Sequence, residues 1–254
     1  MTDNEHKCPS VAPADVGTYV INLKRRPDRR QRILRQLPLD LPPLLTSYWQ
    51  GPFDGVSLKR SDIEALGYRL FEWRIDSDNP WWNRPLKYGE IGCSLAHLSC
   101  WQHADTRQEP FTMVLEDDAE LAPCFLDSLL SGLQRLGCLN EEVDLVYLGR
   151  YPLTADTPAP IQGFVRPGYS HCTFGYLLTR SGLKKVLKAR LGDSILPVDE
   201  FLPALYIDHP RPDVRRRFPR CLNAFAFSPP LVTQLPKDLA GSDTEDSPFV
   251  ENVS

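Results

Sequence analysis

The chain has 254 residues, 42% of them hydrophobic and 24% charged, with a formal net charge of −4. This is enough chain for a buried core in one large domain or two small ones, and the composition is that of a soluble globular protein. The acidic balance excludes the electrostatic footprint of a nucleic-acid-binding protein, and the basic clusters at 24–35 and 211–220 read as solvated surfaces. Seven cysteines, an odd count with no Cys-x-x-Cys pair, argue against a disulfide framework and a zinc site. The polar N-terminal stretch has no apolar signal region, and no run approaches the ~18 apolar residues of a membrane span. A reduced, cytoplasmic protein is therefore expected.

In chain order, residues 1–16 form a polar, proline-containing lead-in expected to be disordered. Residues 18–23 predict the first strand. Pro27 suits a helix's first turn, and Ile33, Leu34 and Leu37 give that helix an apolar side before Pro38 stops it. Residues 44–53 predict another strand, followed by a turn at Asp54 and Gly55. The stretch 57–88 is irregular and holds Trp73, Trp81 and Trp82; it reads as a long functional loop with a short helix near 61–66. The three tryptophans either face a ligand or serve as ordinary core or lid packing.

A helix is predicted over 89–104, with Ile91, Leu95, Leu98 and Trp101 near one face. The strand ending in Met113, Val114 and Leu115 comes next, then a helix over 125–136. A further strand covers 143–148, a proline-rich loop 152–168 and a strand 173–178. A helix over 181–189 takes Ser181 as its N-cap. Pro197 opens another helix running to about 206. Extended runs at 224–227 and 231–233 precede an acidic tail at 241–254, expected to be mobile. Strands alternating with helices predict an α/β fold with a mostly parallel central sheet, in one domain over 17–240.

Chemistry concentrates in four stretches. Glu116, Asp117 and Asp118 leave the carboxyl end of a strand, where open α/β sheets bind ligands. Like charges side by side repel unless a cation holds them, and oxygen ligands suit Mg²⁺ or Mn²⁺, which can bridge a diphosphate. Taken alone, the trio is equally a solvated acidic turn. Residues 21–30 feed a strand end into a basic helix N-terminus that can hold a phosphate, or is simply an exposed basic helix. At 87–97, Gly89 and Gly92 permit close backbone approach, without the Lys-Ser/Thr of a Walker loop. Glu90 and His97 there are ordinary helix residues on local evidence. Asp199 and Glu200 either complement a helix dipole or offer a carboxylate that accepts a hydroxyl proton.

Taken together and in order, residues 19–29, 84–86 running into 89–97, 115–118, 145–150, 175–178, 197–203 and 242–245 resemble glycosyltransferase family 25. Within it they are most similar to the C-terminal catalytic module of animal collagen β-galactosyltransferases, with coverage from about 17 to 247. The resemblance implies a GT-A fold, a UDP-sugar donor with galactose favoured, Mn²⁺ (or Mg²⁺), and inversion at the anomeric carbon. The acceptor it implies is a hydroxyl of a glycan or of a hydroxylysine-type peptide. In that picture Asp117 and Asp118 hold the metal with Glu116 in support. Asn22, Arg26 and Arg29 lie near the nucleotide, Glu90 and His97 near the donor, and Asp199 or Glu200 is the base. Residues 231–236 are closer to the shorter bacterial members than to the animal form, which has a His in that region, so Asp243 is the substitute third metal ligand. The animal form's extra N-terminal module, secretory signal and retrieval tail are not read here, so collagen itself is not the expected acceptor. Two other readings stay open: a non-catalytic, adhesion-like binder of nucleotide sugars, and a metal-dependent hydrolase or nucleotidyltransferase.

Overall fold

The computed structural model describes residues 10–251. Its elements, in chain order, are β1 (Val16–Ile21), α1 (Pro27–Gln36), β2 (Pro43–Leu45), α2 (Arg60–Ala65), α3 (Tyr88–Asp105), β3 (Phe111–Glu116) and β4 (Ala119–Leu121). They continue with α4 (Phe125–Leu136), β5 (Leu145–Pro152), β6 (Thr157–Pro158), β7 (Phe164–Arg166), β8 (Ser170–Thr179) and α5 (Arg180–Lys188). The last are α6 (Val198–Ala204), α7 (Pro212–Arg217), β9 (Ala224–Phe227), β10 (Val232–Gln234) and α8 (Lys237–Ala240). Residues 1–9 of the expected lead-in and 252–254 of the expected tail lie outside the described residues.

Eight strands form one sheet in the order β2-β1-β3-β8-β5-β9-β7-β6, and β10 pairs with β4 in a separate ribbon. The α/β expectation holds, with a mixed sheet. β1 runs parallel to both β2 and β3, and β5 runs parallel to β9. β8 joins these parallel parts by lying antiparallel to β3 and to β5, and β7 and β6 extend the far edge antiparallel.

Side chains alternate across a strand, so a strand apolar at every position must be covered on both faces. Tyr19, Val114, Tyr147 and Tyr176 point into one buried cluster, with Ile91, Leu95 and Trp101 of α3 and Phe201 of α6. Their neighbours Val20, Met113, Leu115, Val146 and Leu177 point into the other, with Ile33 of α1 and Leu129 and Leu133 of α4. The result is a three-layer α/β/α body. The carboxyl ends of β1 and β3 open on the same edge, because the two strands are parallel neighbours.

Several local readings are corrected. The strand expected over 44–53 pairs only as far as Leu45 and then turns through a 3-10 helix at Thr46–Tyr48. The cause is Thr46, whose hydroxyl accepts from the Asn22 N–H at 2.9 Å and donates to the Asn22 carbonyl at 3.1 Å. A side chain thus takes the groups that the next ladder rung would need. The N-cap of α5 is Thr179, which accepts from Gly182 N, while Ser181 instead bonds Glu142. The proline-rich loop contains β6 and β7, anchored by Phe164 against Phe227 with ring centroids 4.5 Å apart. The tail is packed in its described part: Gly89 N–H donates to Ser247 Oγ at 2.8 Å, Tyr88 N–H to the Pro248 carbonyl at 2.9 Å, and Val250 N–H to the Leu86 carbonyl at 2.7 Å. Among the cysteines, Cys138 is disulfide-bonded, against the expectation of reduced thiols, whereas Cys93, Cys100, Cys124, Cys172 and Cys221 are free.

The tryptophan loop is also tied down. Arg211, 1% exposed, lies over the rings of Phe71, Trp73 and Trp82, donates to the Trp73 carbonyl at 2.6 Å and pairs with Asp213 at 2.6 Å.

Gly182 marks the tightest junction between sheet and helix. A Cβ there would meet the Asp144 carbonyl oxygen at 2.0 Å. Helix propensity alone favours Ala over Gly by about 1 kcal/mol. Overpacking against backbone costs about 1–3 kcal/mol and outweighs it. Gly182→Ala is therefore expected to lower the melting temperature; a rise on thermal denaturation would contradict this packing.

Candidate active site

The register of β1 on β3 sets the site. Ile21 lies opposite Glu116, so the following residues, Asn22 and Asp117, leave the sheet side by side. Asn22 Nδ2 donates to Asp117 Oδ2 at 2.7 Å, and Arg29 from α1 donates to Asp117 Oδ1 at 2.9 Å. Both Asp117 oxygens are therefore engaged. Asp118 is held differently: Gln234 Nε2 donates to its Oδ2 at 3.1 Å, while its Oδ1 is buried without a hydrogen-bond partner among the described residues. A carboxylate oxygen left so costs about 1–3 kcal/mol or more, which a ligand at that position would recover.

Glu116 faces the other side of the cleft. Its Oε1 accepts from Thr173 Oγ1 at 2.7 Å and contacts His97 Nε2 at 3.3 Å. Burial drives the His97 pKa down to about 3, so the ring is neutral. Its Nδ1 meets Tyr176 Oη at 2.8 Å, and that oxygen meets Trp101 Nε1 at 2.8 Å. One proton arrangement satisfies every member: Trp101 donates to Tyr176, Tyr176 to His97, and His97 through Nε2–H to Glu116.

Asp199 and Glu200 are adjacent on α6 yet have opposite surroundings. Glu200 is fully buried and accepts from Trp81 Nε1 at 3.0 Å, Tyr169 Oη at 2.7 Å, His171 Nε2 at 3.2 Å and His209 Nε2 at 2.6 Å. Burial alone would raise its pKa, but the bonds and charges of His171 and His209 outweigh it and bring the group down to about 2. Asp199 instead lines the cleft and takes one bond, from Thr173 Oγ1 at 3.0 Å. The single Thr173 proton thus serves both Asp199 and Glu116. Burial first, then the Glu116 charge, raises Asp199 to about 6.

The cleft has two lobes. One is lined by Asn22, Arg29, Phe53, Gly89, Cys93 and Asp117 among others; the second by Trp81, Glu90, Asp118, Asp199, Gln234 and Lys237 among others. Arg29, Cys93, Glu116, Asp243 and Thr244 line both. Gly92 lets α3 approach the cleft wall, since a Cβ there would meet the Phe53 carbonyl oxygen at 2.3 Å.

The remaining expected residues are placed as follows. Glu90 accepts from the Lys87 N–H at 2.7 Å, capping α3, and pairs with Arg84. Arg84 in turn lies 4.0 Å from the Trp81 ring centroid. Asp243 sits in an arginine cradle, 2.6 Å from Arg25 Nη1, 2.7 Å from Arg26 Nη1 and 3.6 Å from Arg29 Nη1. Every residue expected at the site thus lies in or beside the cleft, except that Glu200 faces a buried hub behind it. Sequence reasoning missed Thr173, Gln234, His171 and His209. They stand far from the acidic stretch in the chain, and no spacing marks them. Of the three tryptophans, Trp73 is buried packing, while Trp81 reaches the cleft wall.

The carboxyl cluster makes stability depend on pH. Burial is the largest cause raising Glu116 to about 7 and Asp117 and Asp118 to about 6, as it is for Asp199. The ordinary values are 4.5 for Glu and 3.8 for Asp, so the folded chain binds these protons more tightly than the unfolded chain. Their contribution to stability is fullest below about pH 4 and declines as pH rises through about 6–7. Glu200, shifted the other way, contributes above the ordinary 4.5 and loses that contribution as pH falls through about 2. In metal-free buffer, Asp118→Asn is expected to raise the melting temperature near pH 7.5 and to flatten its fall from about pH 5 to 7.5. Identical pH slopes for variant and wild type would contradict the cluster's role.

A family model described as glycosyltransferase family 25 (LPS biosynthesis protein) matches residues 16–150, which include β1, α3 and the acidic stretch after β3. The chain is 35% identical to procollagen galactosyltransferase 1 of Danio rerio over 93% of its length and 39% of that protein's. It is 33% identical to procollagen galactosyltransferase 2 of Homo sapiens over 92% of its length and 38% of that protein's. It is also 34% identical to inactive glycosyltransferase 25 family member 3 of Homo sapiens, over 94% of its length and 41% of that protein's. The chain thus spans about two fifths of the length of these curated relatives. With this match over more than half its residues, the chain belongs to glycosyltransferase family 25.

Proposed function

We propose that this chain transfers a hexose, galactose before others, from a UDP-sugar to an acceptor hydroxyl with inversion, and that Asp199 is its general base. The observation that carries this reading is the contrast within α6. Asp199 lines the cleft with a pKa near 6, close to where a general base works best, whereas Glu200 near 2 is saturated by four donors. The same lobe is lined by Glu116, which shares the Thr173 hydroxyl with Asp199, and by Asp118, both at the end of β3.

The donor set suits a hard divalent cation, Mn²⁺ or Mg²⁺. Asp118, whose Oδ1 has no hydrogen-bond partner among the described residues, and the adjoining Glu116 would hold it through oxygen. Asp117, bonded by Asn22 and Arg29, would contribute only by giving up one of those bonds, and Asp243 is committed to Arg25 and Arg26. When bound, the cation neutralises charge on the departing diphosphate. Arg26 and Arg29, beside Asn22, supply guanidinium donors suited to phosphate oxygens. Asp199 then takes the acceptor proton as that oxygen attacks an oxocarbenium-like carbon. Trp81, held by Glu200, offers a ring face on the acceptor side of the lobe.

A second reading is donor binding without turnover, and the comparable identity to the inactive human relative favours it. The acceptor is proposed only as a hydroxyl of a glycan or hydroxylated peptide. The test is a UDP-sugar panel with and without Mn²⁺, reading donor turnover first and product by mass spectrometry. Turnover of UDP-galactose is expected, lost on metal removal. Asp199→Asn is expected to lower kcat by about 10²–10⁴-fold with little change in donor affinity. Binding of UDP-galactose without turnover, in the wild type, would establish the second reading; unchanged kcat in Asp199→Asn would remove that residue's role.

A further inference from the structure

Among the groups that the proposed transfer leaves unused is the Cys93 thiol, which lines both lobes. It stands at the i and i+4 positions of α3 with His97, so both side chains face the same way. The end of β3 brings Glu116 against them. Ligand atoms of Cys93, His97 and Glu116 all lie within 4.8 Å of one another.

The separation between two of them is informative. His97 Nε2 and Glu116 Oε1 are 3.3 Å apart. This is long for an N–H···O bond, whose usual length is about 2.9–3.0 Å. It equals the span of two ligands each about 2.0–2.1 Å from one tetrahedral ion, which is about 3.3–3.4 Å. We propose that Cys93, His97 and Glu116 form a second cation site, for thiophilic divalent ions of the Zn²⁺ and Cd²⁺ class, with its fourth position open to the cleft.

The chemistry balances. On binding, the Cys93 thiol releases its proton to solvent and the thiolate sulfur bonds the ion. With the Glu116 carboxylate this offsets the ion's two charges. The His97 ring proton moves from Nε2 to Nδ1, freeing the Nε2 lone pair, and Tyr176 Oη at 2.8 Å is in place to accept from Nδ1. Leaving the Tyr176 proton without its former acceptor opposes this shift, and the bonds from sulfur, imidazole and carboxylate to the ion favour it. Glu116, Asp199, Asp118 and Glu90 all act on the thiol with negative charge, which disfavours a lone thiolate and favours one paired with a cation.

Sulfur and imidazole ligands separate this site from the all-oxygen position at Asp118. An ion bound here takes Glu116 from the floor shared by both lobes, so inhibition of transfer by Zn²⁺ follows if the proposed activity holds; the binding itself does not rest on that activity.

The experiment is a Cd²⁺ titration of the full chain, followed through the ultraviolet thiolate-to-cadmium charge-transfer band, in a Cys124→Ser/Cys172→Ser/Cys221→Ser background that removes, among the described residues, the exposed thiols and the second thiol lining the cleft. One saturating equivalent is expected, with the band lost in Cys93→Ser and affinity weakened at least about tenfold in His97→Gln, the scale of losing one ligand contact. Asp118→Asn is expected to keep the band, and excess Mn²⁺ is expected not to displace it. Thermal melts identify any variant that has unfolded, and Cys93→Ala then replaces Cys93→Ser. A band that survives loss of Cys93, or no saturable band in the folded wild-type background, overturns the site. Neither outcome depends on whether donor turnover is observed.

Discussion

Crowding of carboxyl groups in a half-buried cleft is the constraint that organises this molecule. Glu116, Asp117, Asp118 and Asp199 are all raised by burial, and Glu116, Asp118 and Asp199 accept fewer hydrogen bonds than Glu200 does. Glu200, next in the chain to Asp199, has a full complement of donors and shows that this fold can satisfy a buried acid where no ligand is to be met. The partial supply at the cleft is therefore selective. Arg29, Asn22, Thr173 and Gln234 hold the geometry without neutralising it. Stability is given up where binding requires it, as active sites commonly do.

Much of the scaffold was legible because its signals are local. The apolar runs at β1, β3, β5 and β9, and the helical spacing in α3 and α4, read correctly because both faces of the sheet are covered by helices. The failures share a cause. The run after Leu45 has strand composition, but Thr46 closes the ladder through its own hydroxyl. Likewise Thr179, inside a strand pattern, caps α5 in preference to Ser181. The antiparallel placement of β8 has no local signature at all.

The site divides in the same way. Asp117 and Asp118 announced themselves as contiguous acids after a strand. What separates Asp199 from Glu200 was invisible, since the two share a helix turn and differ only in partners brought from 81, 169, 171, 173 and 209. Nor did the sequence show the arginines that surround Asp243, the substitute metal ligand taken where the chain departs from the animal form.

The wedge of Arg211 among Phe71, Trp73 and Trp82 has a mechanical consequence. A planar cation sandwiched by rings and also bound to a backbone carbonyl leaves the aromatic loop little freedom to swing. Trp81, hinged on the same loop and pinned by Glu200, thus behaves as a fixed jamb.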